Sequence, residues 1–125
     1  MTPEEVQRRA VTLLAERLIS RTVADEVGEM LEPRARRLAA SKRERSQWFR
    51  SLDDATRGLV EESFRWVAYS VLFDALCVFD GVVRLDLDDV IQEVRLIVRS
   101  GGEGVDLATD ELPMMHDLLA EWMGI

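Results

Sequence analysis

FRWVAYSVLFDALCVFDGVV, residues 64–83, decides the fold. It is apolar on nearly every face, interrupted by Asp74 and Asp80 and closed by Gly81. A helix that is apolar all round has to be wrapped by other elements, so the segment reads as the central helix of a small core. Just upstream, Trp48 and Phe49 are expected in that core. Asp53 then supplies a carboxylate suited to cap a helix N-terminus, and Asp54 suits the positive end of the helix dipole. The helix is therefore expected over residues 54–79, ending where Gly81 takes a left-handed conformation. A carboxylate inside such a helix needs a partner, because burying it alone costs several kcal/mol. Asp74 is accordingly assigned a structural ion pair with an arginine of residues 34–37, and Asp80 a role bonding turn amides beside Gly81.

Working outward to the N-terminus, Thr2 and Pro3 form a cap and first-turn pair, and Val6, Ala10, Leu13, Leu14 and Leu18 recur at helical spacing. The amphipathic helix either continues or restarts at Thr22, where Thr22 and Asp25 have capping-box spacing, and Val23, Val27, Met30 and Leu31 extend the stripe to a break at Pro33. Residues 33–50, PRARRLAASKRERSQWFR, hold seven basic groups against one acid and read as a polar, exposed helix.

Beyond Gly81 the period changes to two. In EVRLIVR, residues 93–99, Val94, Leu96 and Val98 alternate with Arg95, Ile97 and Arg99, and SGGEG offers a turn before VDLAT, giving a β-hairpin. VVRLDL, residues 82–87, suits a further strand. The rival reading is a helix over residues 88–99, where Val90, Val94, Ile97 and Val98 also have helical spacing. Thr109 or Asp110 can cap a last helix with Pro113 near its start and Met115, Leu118, Leu119 and Trp122 as its buried face.

The chain has 125 residues and is 47% hydrophobic, a size and composition for one domain, with residues 1–50 a helical arm and residues 51–125 an acidic core part. The net charge of −8 is partitioned: residues 1–50 carry 11 basic and 8 acidic groups (+3), residues 51–125 carry 5 and 16 (−11). The acidic half repels nucleic acid and anionic lipid, so neither is the expected partner. A single Lys beside fifteen Arg, with no Asn, is a compositional bias that makes arginine abundance weak evidence for nucleic-acid binding. The start of the chain mixes charged and apolar residues and has no signal-peptide pattern, and the best apolar run, residues 66–73, is far short of the roughly 20 residues that span a bilayer. Cys77 is the sole cysteine, so no intrachain disulfide is expected. A cytoplasmic location is the expectation.

WFRSLDD before the central helix, LCVFDGV closing it, a strand–turn–strand after it and MMHDLLAEW at the end together resemble a group of small, uncharacterised bacterial proteins of immunity or accessory type found around toxin systems. The resemblance covers residues 48–122. It implies an α+β fold and a protein partner, and it carries no catalytic residues across.

The chemistry-bearing residues are few. Cys77 and His116 are the only thiol and imidazole, a formal nucleophile pair, yet Cys77 lies in an apolar helix where a thiol packs as a small hydrophobe, and His116 suits a hydrogen bond that fixes the last helix. Asp86, Asp88, Asp89 and Glu93 lack the glycine and the distal bidentate Glu of a calcium loop and read as a solvated acidic surface. SGGEG lacks the Lys-Ser/Thr of a phosphate loop. No catalytic residue, metal site or cofactor is assigned.

The reading is α+β, with all-α as its rival: N-terminal helices and a long central helix on a small antiparallel hairpin or three-stranded sheet, closed by a short C-terminal helix. The expected function is non-enzymatic, an immunity protein occluding a basic toxin through Asp86, Asp88, Asp89 and Glu93. The alternative is a homodimeric regulator or adaptor that associates through its amphipathic N-terminal helices. It would bind nucleic acid or an acidic protein through Arg34, Arg37, Lys42, Arg43 and Arg45. Asp74, Asp80, Gly81 and His116 are assigned structural roles.

Overall fold

The structure, a computed structural model, describes residues 1–32, 40–83 and 93–125. Its elements are α1 (Pro3–Ala15), a π-helical segment (Glu16–Arg21), α2 (Thr22–Leu31), α3 (Ala40–Ser51), α4 (Asp54–Phe79), β1 (Ile97–Ser100), β2 (Glu103–Asp106) and α5 (Met115–Met123). The fold is α+β, mostly helical with a two-stranded antiparallel sheet among the described residues. No helix there is long and apolar enough to cross a membrane.

The N-terminal helix opens with a capping box. Thr2 Oγ1 accepts from the Glu5 N–H and the Glu5 carboxylate accepts from the Thr2 N–H. Besides Val6, the buried residues Gln7, Val11, Ala15, Ile19 and Val23 repeat every four positions. In a pure α-helix that spacing drifts about 40° per step around the axis. The wider turn of the π-helical segment takes up part of the drift, so one stripe stays on the core through α2. The chain thus continues through Thr22 rather than restarting there. The Thr22 hydroxyl donates to the Arg17 carbonyl, five residues back, and caps nothing. The expected stripe is corrected as well. Val6 is buried and Ala10 and Leu14 are half-buried, but Leu13 and Leu18 face out.

α2 and α3 pack together through the Ser46 hydroxyl, which donates to the Met30 carbonyl at 2.6 Å, and through buried Phe49. Trp48, expected in the core beside Phe49, is 50% exposed instead, because adjacent helical positions point about 100° apart and only one can face α2.

α4 forms as expected. Asp53 accepts from the Thr56 N–H at 2.7 Å, Asp54 sits in the first turn, and Gly81 follows the helix at φ +77°. It is not wrapped on every face, however. Tyr69, Leu72, Leu76 and Cys77 are buried, while Leu59, Trp66, Val67 and Val71 are exposed. Asp74 lies on the exposed side, so water solvates its carboxylate and the internal ion pair it was assigned is not required. The arginines of residues 34–37, its expected partners, lie outside the described residues, as do residues 84–87 of the strand expected over 82–87 and residues 88–92 of the rival helix over 88–99. Val82 and Val83 form a bend, and residues 93–99 lead into β1 rather than a helix.

β1 and β2 pair in register from Ile97↔Asp106 to Ser100↔Glu103, joined by Gly101 and Gly102 at φ +60° and +84°. Two successive positive φ values match the twist of a two-residue hairpin loop, which is why two glycines stand there. Leu96 and Val98 pack toward the core and Ile97 faces out, the alternation read from the sequence. The ladder extends one step further, with the Leu107 N–H donating to the Leu96 carbonyl and Leu107 itself fully buried. Arg95 then clasps the hairpin base. Its Nε donates to Asp106 Oδ2 at 2.6 Å and its Nη2 to the Ala108 carbonyl at 2.8 Å.

α5 begins at Met115, later than a cap at Thr109 or Asp110 would place it, with Met115, Leu118 and Leu119 buried and Trp122 half-buried. One polar side chain ties the core together. Gln7, fully buried on α1, donates its Nε2 to the carbonyls of Leu107 and Pro113 at 2.8 and 2.6 Å, so the hairpin exit and the approach to α5 hang on the same amide.

Two outcomes follow for stability. Gln7→Leu preserves volume but removes the donor from both carbonyls, and is expected to cost about 2–4 kcal/mol in urea unfolding. The Asp106 carboxyl is held below the usual carboxylate range, chiefly by the Ala108 N–H and also by Arg95, against an opposing effect of burial. A depressed folded value means stability that is fully present above the unfolded value of about 3.9 and lost as pH falls through the folded one. Stability of the wild type should therefore drop more steeply below about pH 4 than that of Asp106→Asn, measured by denaturant midpoint against pH.

Candidate functional site

The most constrained polar cluster joins the end of α4 to the start of α5. Asp80 is the C-cap residue of α4. Its carboxylate, only 2% exposed, does not bond the amides of its own turn, as the sequence suggests, but reaches 35 residues along the chain. Oδ1 accepts from the Met115 N–H at 3.1 Å, and Oδ2 from the His116 N–H at 3.0 Å and from His116 Nδ1 at 2.7 Å. Met114, the N-cap residue of α5, supplies no side-chain cap of its own. Asp80 thus caps α5 in place of a local residue, and its negative charge stands at the positive end of that helix dipole. Because a carboxylate only accepts, the bonded Nδ1 of His116 carries the proton. The other ring nitrogen, Nε2, lies 3.5 Å from Asp117 Oδ1, and the Phe73 ring meets the imidazole edge-on with centroids 5.3 Å apart.

The chemistry this arrangement offers is orientation of His116 by a buried carboxylate. The sole thiol lies one turn before Asp80, but its environment works against a nucleophile. Burial first, then the carboxylates of Asp74, Asp80 and Asp117, push the Cys77 thiol above its ordinary value, so it stays protonated. No hydrogen bond joins Cys77 to His116 among the described residues. No group of three His, Cys, Asp or Glu side chains suited to a metal is present there either.

A groove of about 210 Å³ between α1 and α5 is lined by Arg8, Val11, Thr12, Leu118, Glu121 and Trp122. It is smaller than the roughly 300 Å³ at which small-molecule sites begin. Arg8 bridges to Glu121 at 3.4 Å on its rim, and the Arg65 guanidinium stacks over Trp122 at 5.3 Å.

Of the acidic set, Asp86, Asp88 and Asp89 lie outside the described residues. Glu93 is exposed and shares Arg95 with Asp106, at 3.3 Å from Nη1. In the basic set, Lys42 and Arg43 are exposed on α3, Arg45 is paired with Glu26, and Arg34 and Arg37 lie outside the described residues. The structure therefore brings together Asp80 and His116, which the sequence placed separately. It also adds Gln7, whose only signal is its position in a four-residue buried repeat. No family model, curated protein or solved structure matches the chain.

Asp80→Ala leaves two helix-terminal amides and an imidazole without their acceptor and is expected to cost about 3–4 kcal/mol. Asp80→Asn keeps an amide-accepting oxygen and should cost less. A double-mutant cycle of Asp80→Ala with His116→Ala in urea should show a coupling of about 1 kcal/mol or more, and additivity would mean that the imidazole bond contributes nothing.

Proposed function

We propose that the protein is a non-enzymatic binding module that occludes a basic protein partner, in the manner of an immunity protein for a bacterial toxin. The observation that supports this reading is the way the −11 half disposes of its charges. Three of its five arginines are engaged internally: Arg57 with Asp54, Arg65 over Trp122 and Arg95 with Asp106. Glu61, Glu62, Asp74, Glu103, Asp110 and Glu111 are exposed and pair with no cation among the described residues. The outward field of this half is therefore acidic. Such a field raises the encounter rate with a basic surface and disfavours anionic partners, while apolar contacts supply most of the affinity. On this reading Asp86, Asp88, Asp89 and Glu93 belong to the steering patch, and the site is intracellular.

A second reading rests on α3. Trp48 is half-exposed on the same helix as exposed Lys42 and Arg43, residue types that suit a stacked base or an acidic peptide. The regulator or adaptor reading uses that face, with Arg34, Arg37 and Arg45 contributing charge.

The test is retention of partners from a native-host lysate on immobilised protein at low and moderate salt, comparing wild type with the variant Asp86→Lys, Asp88→Lys, Asp89→Lys. The expected result is a stoichiometric basic protein, held by the wild type, weakened by salt and lost on the variant. Equal retention by both would remove the patch from the mechanism. Recovery of nucleic acid, lost on Lys42→Glu with Arg43→Glu, would put the second reading in place of the first.

A further inference from the structure

α4 carries a line of apolar side chains that the described residues leave uncovered. Leu59 is 65%, Val67 62% and Val71 66% exposed, and Trp66 45%, with exposed Ser63 and Ser70 between them. At 3.6 residues per turn this face lies opposite Tyr69, Leu72 and Leu76, the side that packs on the core, and from Leu59 to Val71 it runs about 18 Å. Single exposed apolar residues need no explanation, but a contiguous line of them marks an interaction surface.

We propose that this face closes on the same face of a second copy of the chain, with the two α4 helices antiparallel about a two-fold axis at Val67. This goes beyond the partner-occlusion reading and does not rest on it. Size is the first support. The four side chains leave on the order of 400–500 Å² exposed, and flanking Val60, Ser63, Phe64, Ser70 and Asp74 bring the total toward the ~800 Å² per partner of a stable interface.

Register is the second. With the axis at Val67, Val71 faces Ser63 of the second copy on either side of the axis, so a large side chain meets a small one at both of those levels.

Charge is the third. Asp74 follows the line one turn beyond Val71, with Glu62 at its edge beside Leu59 and Trp66, and in this register Asp74 faces Val60 of the second copy, one turn from that copy's Arg57. The present partner of Arg57 is Asp54, whose side chain is 96% exposed, an ion pair that contributes little and is readily exchanged. A two-fold contact therefore supplies Asp74 with a cation twice over. Parallel pairing would instead set Asp74 against Asp74, which like charges disfavour. The contact is isologous and closes at two copies.

Sedimentation velocity of the full chain from about 1 to 200 µM is expected to show a reversible monomer–dimer equilibrium. Val67→Asp sets two carboxylates face to face on the axis and should weaken the dimer by roughly tenfold or more, whereas Leu13→Asp, on an exposed position of α1, should leave it unchanged. Asp74→Arg and Arg57→Asp should each weaken association, and the double variant should restore it to within about threefold. Far-UV circular dichroism confirms that each variant is folded. A wild type that is monomeric at the highest concentration, or a dimer that survives Val67→Asp, overturns the proposal. Failure of the double variant to recover overturns the register.

Discussion

Asp80 is where the two halves of the core are held to each other. Its carboxylate leaves the last turn of α4 and ends the unsatisfied amides of the first turn of α5, so a helix of nine residues has its start fixed by a residue outside it. A helix that short is not stable alone, and most of its stability comes from the face it buries. Met115, Leu118 and Leu119 can only reach that burial if the helix begins at the right residue and points along α1 and α4. His116 adds direction. Held at Nδ1 by Asp80 and flanked by the Phe73 ring, it fixes the rotation of α5 as well as its origin.

The other long-range polar tie works in the opposite sense. Asp80 collects donors at a helix start, whereas Gln7 supplies donors to carbonyls that no regular element satisfies. Between them, the segment from Leu107 to Met114, which belongs to neither strand nor helix, is held at both ends by side chains from distant parts of the chain. This explains how a hairpin of two four-residue strands, marginal in isolation, is kept on a helical core.

Much of this was legible from local chemistry. The bounds of α4 follow from Asp53 and Gly81, the hairpin from alternation at Leu96, Ile97 and Val98 with glycines between, and the buried face of α5 from its spacing. What was not legible depends on distance or on angle. The bond from Asp80 to His116 spans 36 residues, and nothing near either residue points to the other. Trp48 and Phe49 are equally apolar, and only the direction of α2 decides which of them is buried. The exposure of Val67 and Val71 could not be read either, because an all-round apolar helix implies full wrapping unless the number of covering elements is known. Leu13 and Leu18 are apolar and have helical spacing, yet the buried stripe passes through Gln7 and Ala15, a polar and a small residue that hydropathy does not single out.

That stripe has a further consequence. It stays on the core because the coil is widened between Ala15 and Thr22, and the widening depends on how many residues lie there rather than on which they are. Exposed positions in the segment, such as Glu16 and Arg17, are free to vary in identity. Their number is not. Adding one residue, or taking out two, would swing everything beyond it by about 100° and carry Val23 and Met30 away from the face they fill, whereas taking out one returns the coil to the α-helical pitch at nearly the same angle. Length at this point is therefore a structural specification in its own right, written in the chain as a count and recorded by no side chain.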